Sequence, residues 1–263
     1  MEDHILYSSG KYGNSDILMM DANGHEILRV SDSAYEEWSP SWIDANTVSF
    51  LRQVNDKIKI IRHDLSTREE TELPHPERCI IDDKNIQYSS VGNYKLFVCN
   101  GVIMLEQKTA TKELTGKLNG TSNYTEWFGD NKVLFTNNGT GNNEIYLIDL
   151  TTNELTQLTD NPANDERASL SPDGNWMIFS SDRFEKGNQE ILLKDLSNNT
   201  VINISNSQGT ELIARWNHDG TKVFYGSNKD GNWELYSYNI KTKEDIRLTT
   251  HEAFDGDPRV FYR

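Results

Sequence analysis

Short apolar runs alternate along the chain with polar, turn-forming stretches, and the runs recur in pairs. One member of each pair is a strand such as VSFL (48–51), KLFV (95–98), KVLF (132–135), WMIF (176–179) or KVFY (222–225). The other follows a polar turn, as in DILMMD (16–21), EIYLIDL (144–150), EILLKDL (190–196) and ELYSYNI (234–240). Many of these runs are apolar at successive positions rather than at alternate ones, as expected of a sheet packed on both faces. Runs this short, bounded by Gly, Asn, Asp and Pro, predict antiparallel hairpins and no helices.

The stretch 165–196 shows the unit most completely. Ser171-Pro172-Asp173-Gly174 suits a tight turn, because proline presets φ, aspartate bonds its own backbone and glycine relieves the exit. Gly187-Asn188 supplies a second reversal before Glu190-Ile191 opens the next strand. The same Gly-Asn-x-acid-aliphatic turn begins at Gly13, Gly141, Gly187 and Gly231, separated by 128, 46 and 44 residues, and degenerate copies near Asn55 and Asn100 fill the long gap. A period in the mid-forties is that of a four-stranded propeller blade.

The first unit lacks its first strand, whereas the segment after Thr250 looks like a first strand with nothing after it. Pairing the two closes a ring and covers both edges. The expectation is an all-β, six-bladed propeller of four-stranded antiparallel blades, with no linker or second domain. Its blades should span 251–263 with 1–31, then 32–75, 76–118, 119–160, 161–206 and 207–250.

The unit Ser171-Pro172-Asp173-Gly174, Ile178-Phe179-Ser180-Ser181-Asp182-Arg183, Gly187-Asn188, Glu190-Ile191 resembles the WD40-like repeat of the TolB propeller family, and Leu158-Thr159 and Leu248-Thr249 resemble its closing Leu-Thr. The other units depart from it: Asn217-His218-Asp219-Gly220 replaces the turn in the sixth, and only Gly92-Asn93 and Gly129-Asp130 survive in the third and fourth. The resemblance covers the propeller portion of that family. It implies a bacterial binding module, since TolB-type propellers work in protein–protein contacts of the envelope. Related repeats cap prolyl-oligopeptidase-like enzymes or form certain lyases.

Charge narrows the partners. With 26 Lys and Arg against 41 Asp and Glu, the net charge is -15 and is dispersed. Nucleic-acid affinity comes from cations on phosphates, so DNA, RNA and anionic membrane surfaces are excluded. No apolar run is long enough to cross a membrane as a helix, and residues 1–20 lack the features of a signal peptide. The expected location is therefore cytoplasmic as the sequence stands, or periplasmic or secreted if a leader has been removed. Cys79 and Cys99 are too few for a disulfide framework and are expected to be buried free thiols.

Candidate chemistry comes from the repeat. Taking Trp38, Tyr88, Trp127, Leu170, Trp216 and Val260 as the large apolar residue of each inner strand, the residue five earlier is Ser33, Asp83, Ser122, Asp165, Glu211 and Asp255. Asp83, Asp165, Glu211 and Asp255 would then ring one mouth of the channel. There they could bind calcium, which prefers oxygen ligands, or the basic part of a peptide. Equally they could cap turns or pair with Arg167, Arg215 and Arg259. Trp42, Trp176 and Trp233 lie beside turns and either cover a blade edge or present a stacking surface. The histidines are scattered without metal-ligand spacing, no Gly-x-Ser-x-Gly elbow is present, and no resident cofactor is expected. The reading is a monomeric, non-catalytic scaffold that binds a protein or peptide at one channel mouth. The alternatives are a carbohydrate or cell-wall recognition module and a metal-assisted hydrolase or lyase.

Overall fold

The computed structural model describes residues 2–76, 78–80, 85–90, 92–108 and 110–261. Asp83 lies outside the described residues. Strands β1 (Ile5–Ser9), β2 (Asp16–Met20) and β3 (Glu26–Arg29) begin the first blade; β4 (Glu37–Asp44), β5 (Thr47–Val54), β6 (Lys57–Asp64) and β7 (Glu70–Leu73) form the second. The third has β8 (Gln87–Tyr88), β9 (Tyr94–Cys99), β10 (Val102–Gln107) and β11 (Ala110–Glu113), and the fourth β12 (Ser122–Phe128), β13 (Lys132–Asn137), β14 (Glu144–Asp149) and β15 (Leu155–Gln157). The fifth has β16 (Asp165–Leu170), β17 (Trp176–Ser181), β18 (Glu190–Asp195) and β19 (Val201–Asn203), and the sixth β20 (Glu211–Trp216), β21 (Lys222–Ser227), β22 (Glu234–Asn239) and β23 (Asp245–Arg247). The last strand, β24 (Asp255–Val260), joins the first blade, whose order is β24-β1-β2-β3, with Ile5 opposite Val260 and Ser9 opposite Asp255. Six four-stranded antiparallel sheets thus form a closed ring, and the C-terminal strand completes it.

The recurring turns do mechanical work. Ser171 opens its turn by accepting from Gly174 N at 2.8 Å, and its hydroxyl accepts from Trp176 N at 3.0 Å. Asn217 does both tasks in the sixth blade, accepting from Gly220 N and, through Oδ1, from Lys222 N. Gly174 and Gly220 both sit at φ 73°, which only glycine adopts freely. The Gly-Asn turn latches neighbouring blades. Asn14 donates to the carbonyls of Ser33 and Tyr35, Asn142 to those of Asn161 and Ala163, and Asn232 to those of His251 and Ala253. Each of these carbonyls belongs to the connector entering the next blade.

The core consists of clusters at the blade junctions. Ile178, Ile191 and Leu193 of the fifth blade meet Trp216, Val223 and Tyr225 of the sixth. At the closing junction Phe224 and Leu235 of the sixth meet Ile5, Tyr7, Leu18, Met20 and Val260 of the first. Leu6, Ile17 and Met19 then face the second blade's Val48, Phe50 and Ile61. Consecutive residues such as Ile5 and Leu6 therefore enter different clusters, which explains the unbroken apolar runs. At roughly 1.5–3 kcal/mol per large apolar side chain buried, the closing junction contributes about 10–20 kcal/mol before chain entropy is subtracted. Packing, more than the hydrogen bonds of one strand pair, closes the ring.

Two expectations need correction. Trp38 is not the inner-strand anchor of the second blade; Trp42 is. Trp42 pairs with Val48 and its Nε1 donates to the Arg259 carbonyl at 3.1 Å, just as Trp216 pairs with Val223 and donates to the Ser169 carbonyl at 3.2 Å. The residue five before that anchor is therefore Glu37, not Ser33. The cysteines are not free thiols either: Cys79 and Cys99 form a disulfide, with Cα atoms 4.6 Å apart. Counting cysteines could not show that the approach to β8 folds back over the end of β9.

The bridge closes a loop with a sequence separation of 20 residues. For a loop of that size, restricting the unfolded chain stabilises the fold by about 3 kcal/mol. Cys79→Ser with Cys99→Ser is expected to lower the urea midpoint by that equivalent while leaving the β circular dichroism unchanged. An unchanged midpoint would show that the bridge contributes nothing.

Candidate functional site

Every described inner strand longer than two residues carries a bulge. In β16, Arg167 and Ala168 together oppose one residue, because Glu166 pairs with Ser180 and Ser169 with Ile178. Matching irregularities fall between Trp38 and Ser41, Asn123 and Glu126, and Leu212 and Arg215, and opposite Leu6 to Ser8 in the first blade. The first bulge residue is left-handed each time: Ser39, Tyr124, Arg167, Ile213 and Asp257 have φ of 53°, 52°, 58°, 56° and 56°. For a β-branched residue such as Ile213 this is a costly conformation, held in place by the surrounding sheet.

The bulge decides which residues see the channel. In a regular strand, residues five apart point to opposite sides; the extra residue reverses that relation. Asp165 opposite Ser181 and Leu170 opposite Met177 consequently share a face. Asp165, Glu211 and Asp255 are each fully buried, as is Glu37. Of the two readings open for the three described carboxylates, channel-mouth ligand or turn cap, their hydrogen bonds fit the cap. Asp165 accepts from Asn161 at 2.6 Å, Ser181 and Arg183 at 2.8 Å. Glu211 accepts from Ser207 and from Ser227 at 2.7 Å. Asp255 lies 2.9 Å from His251 Nε2, and Glu37 accepts from Ser33 at 2.8 Å and pairs with Arg52. In all four the connector residue four positions earlier is the partner. Among the described residues no three His, Cys, Asp or Glu side chains are grouped to hold a metal ion.

The channel is lined one and three residues before each anchor. Ser39, Asn85, Tyr124, Arg167, Ile213 and Asp257 border an upper cavity of about 260 Å³. Ser41, Gln87, Glu126, Ser169, Arg215 and Arg259 border a lower one of about 540 Å³. All three candidate arginines are therefore on the channel wall. Glu126 Oε2 lies 3.0 Å from Arg215 Nη2 and 2.9 Å from Arg259 Nη1, so one carboxylate joins two guanidinium groups. Arg167 pairs with Glu166, donates to the Tyr124 hydroxyl at 2.8 Å and stacks 3.9 Å from that ring's centre. The lower cavity opens among the turns that join first and second strands, with Ser90, Gly129, Pro172 and His218 at its rim and Trp42, Trp127, Phe128 and Phe261 in its walls.

Sequence reasoning missed Glu126, Tyr124 and Asp257. Position relative to the anchor would have found them, had the bulge been recognised. The three candidate surface tryptophans are half-buried. Trp42 packs into the junction of the first and second blades, Trp176 joins the cluster between the fifth and sixth, and Trp233 lies 6.5 Å from the Phe254 ring. They cover blade edges, and Trp42 alone of the three also lines the channel.

TolB from Acinetobacter baumannii matches 99% of this chain and 67% of its own length with a TM-score of 0.83 at 18% identity. The fold is that of a TolB-like six-bladed β-propeller. A putative TolB from Agrobacterium tumefaciens matches 99% of both chains with a TM-score of 0.71 at 16% identity. A protein TolB homolog of Chlorobaculum tepidum is 23% identical over 118 residues, 45% of this chain and 26% of that protein. The match thus spans about a quarter of the curated relative's length. No family model matches the chain. Among the described residues of the TolB-like propeller, no helix is long and apolar enough to cross a membrane.

The buried caps make a pH test possible. Burial pushes the Glu211 carboxyl above its ordinary value, against the lowering effect of the Ser207 and Ser227 hydroxyls. The folded protein then holds this proton more tightly than the unfolded chain does. The group's contribution is largest below the ordinary glutamate value and is lost as pH rises through the raised folded value. Glu211→Gln keeps an oxygen for both serines and cannot ionise. Its stability relative to wild type, read from urea midpoints across a pH series, is expected to rise from about pH 4 upward and then level off. A pH-independent difference would count against this account.

Proposed function

We propose that this TolB-like propeller is a non-catalytic scaffold that binds a protein or peptide at the lower mouth of its channel. The observation that carries the reading is the 540 Å³ cavity, open among the first hairpin turns, with aromatic walls and a small number of paired charged groups. Apolar walls with a few oriented polar groups are what an inserted peptide segment requires. The fold shared with TolB supports the choice of partner class, because TolB-type propellers work in protein–protein contacts of the bacterial envelope.

A carbohydrate module was suggested by turn-adjacent tryptophans, and these are packed against blades. A metal-assisted reaction was suggested by converging carboxylates, and the described ones each cap their own strand. The fold alone assigns no chemistry. The scaffold acts as a monomer in this reading. The Cys79–Cys99 bridge supports work in an oxidising compartment such as the periplasm, where disulfides persist.

Ser90 is exposed on a turn at the cavity rim, and Thr242 is exposed on an outer turn of the sixth blade. Peptides selected from a random display library on the wild-type protein are expected to bind Ser90→Trp at least tenfold more weakly and Thr242→Trp equally well. Peptides that bind both variants like wild type would place the contact elsewhere and sink the reading.

A further inference from the structure

We propose that the Cys79–Cys99 disulfide is a redox latch on the lower cavity: its reduction frees the short inner strand β8, part of the cavity wall, to move toward the fourth blade, and peptide affinity falls. The movement is inferred from the structure alone; its effect on affinity rests on the peptide-binding reading above. An unpaired indole marks where the strand stands. Trp42 and Trp216 each donate to the carbonyl of the residue before the preceding blade's anchor, Arg259 before Val260 and Ser169 before Leu170. Trp127 has the same place in the fourth blade and pairs with Val133 as Trp216 pairs with Val223. Its counterpart acceptor is the carbonyl of Gln87, which precedes Tyr88. Yet Trp127 Nε1 is buried with no hydrogen-bond partner among the described residues. A buried, unpaired N–H is costly, and here it shows β8 standing one bond short of the fourth blade.

The ties on β8 explain the offset. It has two residues, Gln87 paired with Leu96 and Tyr88 with Lys95, whereas every other inner strand has at least six. The bonds that hold its approach run to its own blade and the second one. Cys79 is bonded to Cys99 at the end of β9, Asn100 Nδ2 donates to the Arg78 carbonyl at 3.1 Å, and Asn85 donates to the Ser39 carbonyl and the Ser49 hydroxyl. Of these ties the disulfide alone can be switched by redox chemistry. Both cysteines are half-buried and flanked by the exposed Arg78, Ile80 and Asn100, within reach of a reductant. That reductant is a dithiol, in the cell a thiol–disulfide exchange protein. Its thiolate attacks one sulfur, the Cys79–Cys99 bond breaks as a mixed disulfide forms, and its second thiol resolves that intermediate. Two electrons and two protons pass to the bridge, leaving two protein thiols and an oxidised reductant. Gln87 and Tyr88 line the lower cavity together with Trp127, so a shift of β8 reshapes the wall that a peptide meets.

Nuclear magnetic resonance of the full chain with isotope-labelled indoles tests the movement, with Trp127→Phe assigning the signal. On reduction with dithiothreitol the Trp127 N–H is expected to shift downfield and to exchange more slowly with water, while the Trp42 and Trp216 signals stay in place. Cys79→Ser with Cys99→Ser should give the reduced spectrum with or without the dithiol. An unchanged Trp127 signal would overturn the latch. So would the collapse of all six indole signals together, which would show a bridge that holds the whole ring. Library-selected peptides that are weakened by Ser90→Trp are expected to bind the reduced protein about tenfold more weakly. Equal binding with a shifted Trp127 signal would separate the movement from affinity and overturn the latch, leaving peptide binding intact. If no selected peptide responds to Ser90→Trp, the peptide-binding reading falls and the effect on affinity falls with it, whereas the Trp127 signal still decides the movement.

Discussion

The structure depends on each sheet burying both of its faces. A blade exposed on one side would leave a row of large apolar side chains in water, so every blade needs two neighbours, and a chain of blades must close on itself. The closing junction, where Phe224 and Leu235 meet Ile5, Leu18 and Val260, is filled by the same kinds of side chain as the junction between the fifth and sixth blades. This is why the last strand can belong to the first blade: the gap left by a missing inner strand would expose one edge and two faces at once. Local turns then set the spacing between blades, and the asparagines of the Gly-Asn turns tie the first, fourth and sixth blades to the connector that follows.

Closure has a consequence for the centre of the molecule. Inner strands held by neighbours on both sides tolerate a left-handed residue in each bulge, even at Ile213. Repetition of that bulge around the ring presents two layers of side chains to the channel and turns the preceding carboxylates away from it. The described repeat-encoded acids thereby become structural caps, and other residues form the channel wall. Arg167, Arg215 and Arg259 come from the fifth, sixth and first blades, whereas Glu126 comes from the fourth and Asp257 from the first, so both signs of charge line the wall.

The third blade is the exception to the repeat, and its chemistry compensates. Its described inner strand is two residues long, which leaves fewer ladder bonds to hold it. The Cys79–Cys99 bridge ties the approach to this strand onto β9, and Asn85 donates to the Ser39 carbonyl at 2.9 Å and the Ser49 hydroxyl at 3.1 Å of the second blade. One covalent link and one side-chain amide replace part of what the other inner strands obtain from backbone pairing.

The sequence by itself determined the number of blades, the hairpins within them and the ring closure, because these rest on local turn chemistry and on apolar runs that repeat at a fixed period. It also brought Arg167, Arg215 and Arg259 into view. For Asp165, Glu211 and Asp255 it left channel lining and turn capping both open, since the side a residue faces is inferred by counting along a regular strand and a bulge adds one to the count without any fixed residue type to announce it. Trp38 and Trp42 are hard to tell apart for a related reason, as two tryptophans four apart in β4 both suit a buried anchor until strand pairing chooses between them. The disulfide and the shared carboxylate of Glu126 were invisible for a different cause: they join residues whose separation along the chain says nothing about distance. Only the tertiary structure decided these, because proximity across a closed ring is a property of the assembled blades.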